Sequence, residues 1–164
     1  MSYSVVRTDL MHGTSNAADL VSVKYLPSGT ATAIDNGNVV SVTTLVSGQR
    51  DVFTAVTPAV NSALSTIALI ASPELLVDER LKSLADFRNE AGAIARGYRL
   101  RSGDIFSVTS AGITEISGTA PAAGQVVELA AAIKLKLVAG LTSGSTQVGT
   151  VIAIEGDYIV IRVV

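Results

Sequence analysis

Two groups of side chains in this sequence could carry chemistry. The first contains Asp9, His12 and Ser15, the residue types of a hydrolytic triad, in which histidine acts as general base and serine as nucleophile. His12 is the only histidine of the chain. A catalytic base must be held rigidly by packing, but the surrounding stretch, HGTSNAAD, has neither helical nor strand periodicity. The pattern therefore favours a solvated histidine over a catalytic one.

The second group is an arginine cluster in a chain of which only 16% is charged. Arg96, Arg99 and Arg101 stand close together, Tyr98 lies between them, and the turn sequence SGD follows. Arginine and tyrosine are enriched at protein interfaces because both provide large contact area and directional hydrogen bonds. We predict that Arg96, Tyr98, Arg99 and Arg101 bind a partner protein.

Strand geometry limits how these side chains can act together. Successive side chains of a strand point to opposite faces, so Arg99 and Arg101 would share one face, and Tyr98 and Leu100 the other. We expect the face of Arg99 and Arg101 to make the contact. The alternative is a solvated helix face followed by a polar edge strand, in which these arginines only satisfy groups of their own domain.

Other chemical signatures are weak. The stretch TSGSTQVG, residues 142 to 149, has the small residues of an anion-binding loop, but it lacks Gly-Lys-Ser/Thr and precedes no helical pattern. Asp78 and Glu79 are adjacent in sequence, and adjacent helical residues do not face one another. There is no cysteine, and no His, Asp or Glu cluster has metal-ligand spacing. We therefore expect no catalytic residues, no cofactor and no metal.

Composition bounds the class of protein further. A chain of 164 residues, 48% of them apolar, can bury the core of one ordinary domain. The net charge of -2 provides no long-range field to attract free nucleic acid. In the run SALSTIALIASPELLV the purely apolar part, Ile67 to Ala71, is far shorter than the roughly 20 residues of a membrane span, so we expect no membrane partner. The start of the sequence lacks the basic and apolar regions of a secretory signal, so export by that route is not expected.

The elements that must position the arginines are predicted to be mostly strands. Short apolar runs alternate with Gly-rich turns in GYRL, DIFSV, GITEI, GQVVEL and AIKLKLV, and the last of these places Lys134 and Lys136 on one solvated face. Asn36-Gly37 predicts a hairpin between Ala33-Ile34 and Val39-Val40. Two further strands, residues 148 to 154 and 158 to 164, predict a C-terminal hairpin that turns at residues 155 to 157.

One segment has helical features. SPELLVDERLKSLADFRNEAG opens with Ser72-Pro73-Glu74, which suits a helix start, and closes at Gly92, which suits a helix end. We predict the principal helix within residues 73 to 92. Residues 1 to 26 are unpatterned and are predicted to form an N-terminal arm, which leaves residues 27 to 164 as a single domain. The fold class is mainly β: a small β-barrel or sandwich with one helical insertion and an extended arm.

Several stretches resemble the head decoration, or capsid cement, proteins of tailed bacteriophages. They are IDNGNVVSV, ASPELLVDERLKSLADFRNEAGAIARGYRLRSGDIFSVT, GQVVEL and STQVGTVIAIEGDYIVIRVV, in an order that covers roughly residues 30 to 164. The resemblance implies a non-enzymatic virion protein, made in the host cytoplasm, that sits on the capsid surface and clamps neighbouring subunits of the major capsid protein. Self-association is left open. A small β-barrel enzyme, a ligand-binding module and a tail or head-completion protein remain as alternatives.

Overall fold

The protein is mainly β, as predicted. The computed structural model describes residues 3–7, 11, 19–75, 83–118 and 120–164. Single-turn 3-10 helices in these ranges are Pro27–Gly29, Leu64–Thr66, Leu84–Asp86 and Ser110–Gly112. The strands are β1 (Leu20–Tyr25), β2 (Val39–Leu45), β3 (Val52–Val56), β4 (Ile67–Ile70), β5 (Ala95–Arg99), β6 (Ile105–Thr109), β7 (Ile113–Ile116), β8 (Val126–Leu129), β9 (Leu135–Val138), β10 (Gln147–Glu155) and β11 (Tyr158–Val163).

Strands β1 to β5 close into a barrel in the order β1-β3-β2-β4-β5. The closing strand is β1, which pairs in parallel with β3 and antiparallel with β5. Side chains alternate between the two faces of a strand, and alternate residues of β1, namely Val21, Val23 and Tyr25, fill the barrel interior. Closure gives β5 a hydrogen-bonded neighbour on each side, β1 and β4.

Strands β6 to β11 form a second sheet in the order β6-β11-β10-β8-β9-β7. Neighbouring strands are antiparallel except β7 and β9, which are parallel. Strands β10 and β11 are joined at Gly156-Asp157, where Glu155 pairs with Tyr158 and Gly156 adopts a φ of 61°. The predicted C-terminal hairpin is therefore confirmed.

The two sheets share the larger of two hydrophobic clusters. Along β4, Ile67 and Leu69 belong to this larger cluster, whereas Ala68 and Ile70 belong to the smaller cluster inside the barrel. Phe106 of β6 contributes to the larger cluster from the second sheet. Strand β4 is thus buried on both faces, which explains why its sequence, IALI, is continuously apolar instead of alternating.

The predicted N-terminal arm is not confirmed in the parts that the structure describes. Residues 3–7 lie along β6, where Val6 bridges Val108 and the Thr109 N–H donates to the carbonyl of Val5. Leu20–Tyr25 is barrel strand β1, whose sequence, LVSVKY, alternates in burial with period two. Both segments are held because their backbone groups pair with neighbouring strands. Residues 1–2, 8–10 and 12–18 of the predicted arm lie outside the described residues.

The predicted helix within residues 73 to 92 is not confirmed either. Residues 76–82 lie outside the described part of the chain, and in residues 73–75 and 83–92 the helical element is the single turn Leu84–Asp86, with a capping box between Ser83 and Asp86. Phe87 is already extended, and Asn89 bridges Ile34. Tertiary pairing overrides the local helical preference well before Gly92.

A turn lies at Asn36-Gly37, but the predicted hairpin does not form there. Gly37 has a φ of 82°, which glycine adopts without steric cost. The flanking segments pair with different partners: Ile34 bridges Asn89, and Val39 pairs with strand β4. The sequence predicted the turn correctly, but the barrel topology determines which strands the flanking segments pair with.

Candidate functional site

The four residues predicted to bind a partner lie along β5 and just after it. Arg96, Tyr98 and Arg99 belong to the strand, and Arg101 follows it. Because β5 is paired on both sides, it is not the edge strand that the sequence suggested. Any partner contact at this position must therefore be made by side chains on the barrel wall and not by strand addition.

Arg101 is bound to a buried carboxylate. Its Nε and Nη2 atoms both lie 2.7 Å from Oδ1 of Asp19. The Asp19 side chain is 5% exposed, whereas that of Arg101 is 58% exposed, so the guanidinium covers the acid and keeps its outer side in water. Asp104, the acid close in sequence, accepts instead from the backbone N–H of Arg101.

Arg99 and Tyr98 also have contacts within the domain. Nη1 of Arg99 donates to the carbonyl oxygen of Ser65 at 3.1 Å. Tyr98 packs against the larger hydrophobic cluster, to which Leu100 also belongs, as alternation along the strand predicts. Arg99 and Arg101 each satisfy an acceptor of their own domain, and the contact of this face with a partner protein stays a prediction.

Arg96 differs from the other two arginines. Its side chain is exposed, and no hydrogen bond or ion pair of its guanidinium is seen with any residue that the structure describes. Its backbone is fixed, because the N–H donates to Oγ of Ser72 at 2.9 Å and the carbonyl accepts from the N–H of Ala71. Arg96 thus has a fixed backbone and an exposed guanidinium with no partner among the described residues.

Arg96 lines a groove of about 380 Å³ together with Ser72, Leu75, Phe87 and Ile94. This feature is called the Arg96 groove below. Leu75 is 85% exposed and Ile94 is 53% exposed, so two large apolar side chains share this part of the surface. Grouped exposed apolar residues mark interaction surfaces more often than single ones do.

A buried hydrogen-bond network holds the wall of the groove. The side-chain amide of Asn36 accepts from the N–H of Ser72 at 2.9 Å and donates to its carbonyl at 2.8 Å. Nδ2 of Asn89 donates to the same Asn36 oxygen at 3.1 Å, and Ser4 donates its hydroxyl to the Asn36 carbonyl. Because Ser72 in turn accepts from the Arg96 N–H, the network connects the turn at Asn36 to the strand that carries Arg96.

A second cavity, of about 690 Å³, lies between the N-terminal segment and the second sheet. Its lining includes Tyr3, Leu84, Thr109, Asp157 and Tyr158, and it is called the tyrosine cavity below. An arginine lies over each ring: Arg88 is 5.1 Å from the Tyr3 centroid, and Arg7 is 5.7 Å from that of Tyr158. The guanidinium groups therefore hold both phenol rings through cation–π contacts.

Lys134 lies just before β9, and Lys136 lies in that strand. The prediction that they share a solvated face does not agree with the structure. Lys134 and Lys136 are both half-buried. Nζ of Lys136 lies 3.2 Å from Oε2 of Glu115 and 3.8 Å from Oε1 of Glu128, a carboxylate that is 1% exposed. Glu128 also accepts from the N–H and the hydroxyl of Thr142, each at 2.8 Å. The TSGSTQVG stretch begins in the loop between β9 and β10. The buried Glu128 holds the start of this loop in place through Thr142.

One carboxyl has a perturbed titration. Burial raises the pKa of Asp35 above its ordinary value of 3.8, against the opposing charges of Arg88 and Lys134. Nε of Arg88 lies 3.2 Å from Oδ1 of Asp35, yet the two atoms are not aligned as a hydrogen bond. The attraction between Arg88 and Asp35 therefore compensates only part of the free-energy cost of desolvating the Asp35 carboxylate.

Asp9, His12 and Ser15 lie outside the residues that the structure describes. In residues 3–7, 11, 19–75, 83–118 and 120–164, no three Asp, Glu, His or Cys side chains are grouped so that they could hold a metal ion. The helices in those same ranges are all too short or too polar to cross a membrane.

No protein-family model matches the chain, and no curated protein matches it. The resemblance to phage decoration proteins accordingly remains a prediction.

Sequence reasoning found Arg96 but missed the groove around it. Leu75 and Ile94 lie 19 residues apart in sequence, in SPELLV and AGAIAR, and only the fold shows that they share a surface. The Asn36 and Asn89 side chains were likewise assigned no role. Ile94, a large aliphatic residue among the small residues Gly92, Ala93 and Ala95, is a local signal that could have pointed to this surface.

Proposed function

We propose that this protein is a non-enzymatic structural protein of a tailed bacteriophage head, which binds the lattice of the major capsid protein and stabilises it as a decoration or cement protein. It is made in the host cytoplasm and resides on the capsid surface of the virion. The observation that carries the proposal is Arg96, whose backbone is fixed and whose guanidinium has no partner among the described residues, beside the exposed Leu75 and Ile94. The phage-like order of sequence stretches between residues 30 and 164 supports the same class.

The requirements of lattice binding agree with this surface. A protein that covers a repeating lattice engages it in many copies, so each contact can be modest while the shell as a whole gains stability. Arg101 keeps 58% of its side chain exposed while it holds Asp19, so it can contact a subunit without leaving its own partner. In the proposal Arg96 makes the main contact. Strand alternation places Tyr98 on the same face of β5 as Arg96, whereas Arg99 and Arg101 lie on the opposite face.

The test uses heads from the phage whose genome carries the chain, prepared without this protein. Purified protein is added at increasing concentration, the heads are sedimented, and the occupancy is measured together with the heat resistance of the shell. We expect saturable binding and a more stable shell. Arg96→Ala should bind about tenfold more weakly or worse, the loss typical of an interface hot spot. Arg162→Ala, an exposed arginine on β11 of the other sheet, is the matched control and should bind normally. Absence of wild-type binding would contradict the proposal.

The tyrosine cavity favours a second candidate, a ligand-binding module or small β-barrel enzyme. Its volume of about 690 Å³ is within the size range of small-molecule sites. This candidate is tested by a fragment screen that follows amide chemical shifts. It is supported if a ligand perturbs Thr109, Asp157 and Tyr158 and the protein does not bind heads. A tail or head-completion protein is distinguished by copy number, since it would occur in a few copies per particle.

A further inference from the structure

We infer that the Arg96 groove binds an extended peptide segment of its partner in which a carboxylate side chain stands beside an aliphatic one. The inference deepens the proposed function, because it rests on the capsid subunit being that partner. The chemistry of the groove nevertheless predicts the type of peptide independently of which protein supplies it.

The positive charge of Arg96 determines the polar group that the bound peptide must carry. Its planar guanidinium matches a carboxylate in a two-point hydrogen bond, and none of the described residues fills that place. Glu74, which adjoins Leu75 in sequence, has Oε1 3.3 Å from Nδ2 of Asn36 and is therefore directed elsewhere. Among the described residues no carboxylate completes this pair, and we infer that the bound peptide supplies it.

The apolar side chains specify the other half. Leu75 at 85% exposure and Ile94 at 53% exposure are the residues that gain most from being covered, and the half-buried Phe87 continues the surface between them. A volume of about 380 Å³ is at the lower end of the range of ligand sites. It suits a few side chains of an extended peptide.

The same observations disfavour a nucleic-acid phosphate as the anion. A phosphate backbone is bound by several cations at once, whereas Arg96 stands in this groove beside apolar residues in a chain with a net charge of -2. Leucine and isoleucine offer nothing to a sugar-phosphate chain, but they do match an aliphatic side chain.

The groove is also prepared for binding before the partner arrives. Ser72 and Asn89 in its lining are fixed by Asn36, and the Arg96 backbone is fixed by Ser72. Binding therefore requires little ordering of the wall, and the remaining freedom belongs to the arginine side chain and to the peptide.

The first test measures the chemistry without capsids. The full-length protein is titrated with the capped peptide Gly-Leu-Glu-Leu-Gly and with its match that has Gln in place of Glu, while amide chemical shifts are followed by NMR. We expect saturable shifts around Ser72, Ile94 and Arg96, and about fivefold weaker binding of the Gln peptide. Arg96→Gln should remove the preference between the two peptides, whereas Ile94→Ser should weaken both equally. Equal affinity of wild-type protein for both peptides, or shifts elsewhere, overturns the inference.

The second test separates this inference from the proposed function. Leu75→Ser and Arg96→Glu are compared on heads with Leu141→Ser, a matched control because Leu141 is an exposed leucine of the β9–β10 loop. We expect the two groove variants to lose at least tenfold in occupancy affinity and the control to bind normally. If wild-type and groove variants load heads equally, the groove inference is wrong and the function stands. If the peptides are discriminated but heads are not bound, the function is wrong and the groove chemistry stands.

Discussion

Arg101→Ala should destabilise the protein although the arginine lies mostly at the surface. The substitution removes both donors, each 2.7 Å from Oδ1, and leaves the Asp19 carboxylate buried at 5% exposure. Loss of hydrogen bonds to a charged group costs about 1.5–3 kcal/mol, and breaking a fully buried ion pair costs about 3–5 kcal/mol. Because the Arg101 side chain is 58% exposed, water screens the pair and the lower range applies. We therefore expect a loss of about 1.5–3 kcal/mol, or about 3–12 °C in Tm for a chain of this length.

Urea unfolding followed by circular dichroism measures this loss, with Arg162→Ala as the control, which should change stability by less than about 0.5 kcal/mol. A double-mutant cycle identifies the cause. Asp19→Asn removes the charge that Arg101 neutralises, so Arg101→Ala should cost at least about 1 kcal/mol less in that background. The reasoning is refuted if Arg101→Ala behaves like the Arg162 control, or if the two substitutions are simply additive. The result also matters for head binding, since reduced occupancy of an Arg101 variant has meaning only for protein that is folded.

Three further predictions concern the scaffold. Gly149→Ala should lose more than about 1 kcal/mol in urea unfolding, because its Cβ would stand 2.4 Å from a backbone oxygen of the paired strand; Gly140→Ala meets no atom within 4 Å and should be nearly neutral. Asn36→Ala should cost about 2–4 kcal/mol and speed hydrogen exchange at the Ser72 amide, since it removes the centre of a buried network; unchanged exchange would contradict this. The raised pKa of Asp35 means that the folded state holds this proton more tightly than the unfolded chain does, so its contribution to stability is full below about pH 3.8 and is lost as pH rises through the folded pKa. Asp35→Asn should make the free energy of unfolding less dependent on pH between about 3.8 and the folded pKa of Asp35. An NMR titration that gives a pKa of 3.8 or less for this carboxyl would refute the assignment.

The positions of most strands could be predicted from the sequence because the signals are local. Alternating or continuous apolar runs bounded by glycine turns predicted strands at DIFSV, GITEI, GQVVEL and the C-terminal hairpin, and each contains a strand of the structure. The turn at Gly156 required only that glycine tolerates a positive φ. Such features depend on residues next to one another in the chain.

The predicted helix within residues 73 to 92 is not confirmed in the described residues for the opposite reason. Ser72-Pro73-Glu74 and Gly92 are suitable helix ends, but Asn89 pairs with Ile34 across the fold and Phe87 is extended. Helix propensity is worth only tenths of a kcal/mol per residue, so a few tertiary hydrogen bonds decide the outcome. The prediction of an N-terminal arm had two weaknesses. Residues 3–7 are held by backbone partners, which need no side-chain periodicity, and the alternation of LVSVKY in β1 was not recognised.

The sequence by itself determined that this is a mainly β protein with a cluster of arginines near its middle. Only the tertiary structure decided what each arginine does. Arg101 meets an acid 82 residues earlier, and Arg99 meets a carbonyl 34 residues earlier. Arg96 lies beside apolar residues from two separate loops, and its guanidinium has no partner in the described part of the chain. The three have the same side chain and nearly the same sequence neighbourhood. Their roles differ because closure of the barrel brings a different distant partner to each of the first two and leaves the third facing solvent.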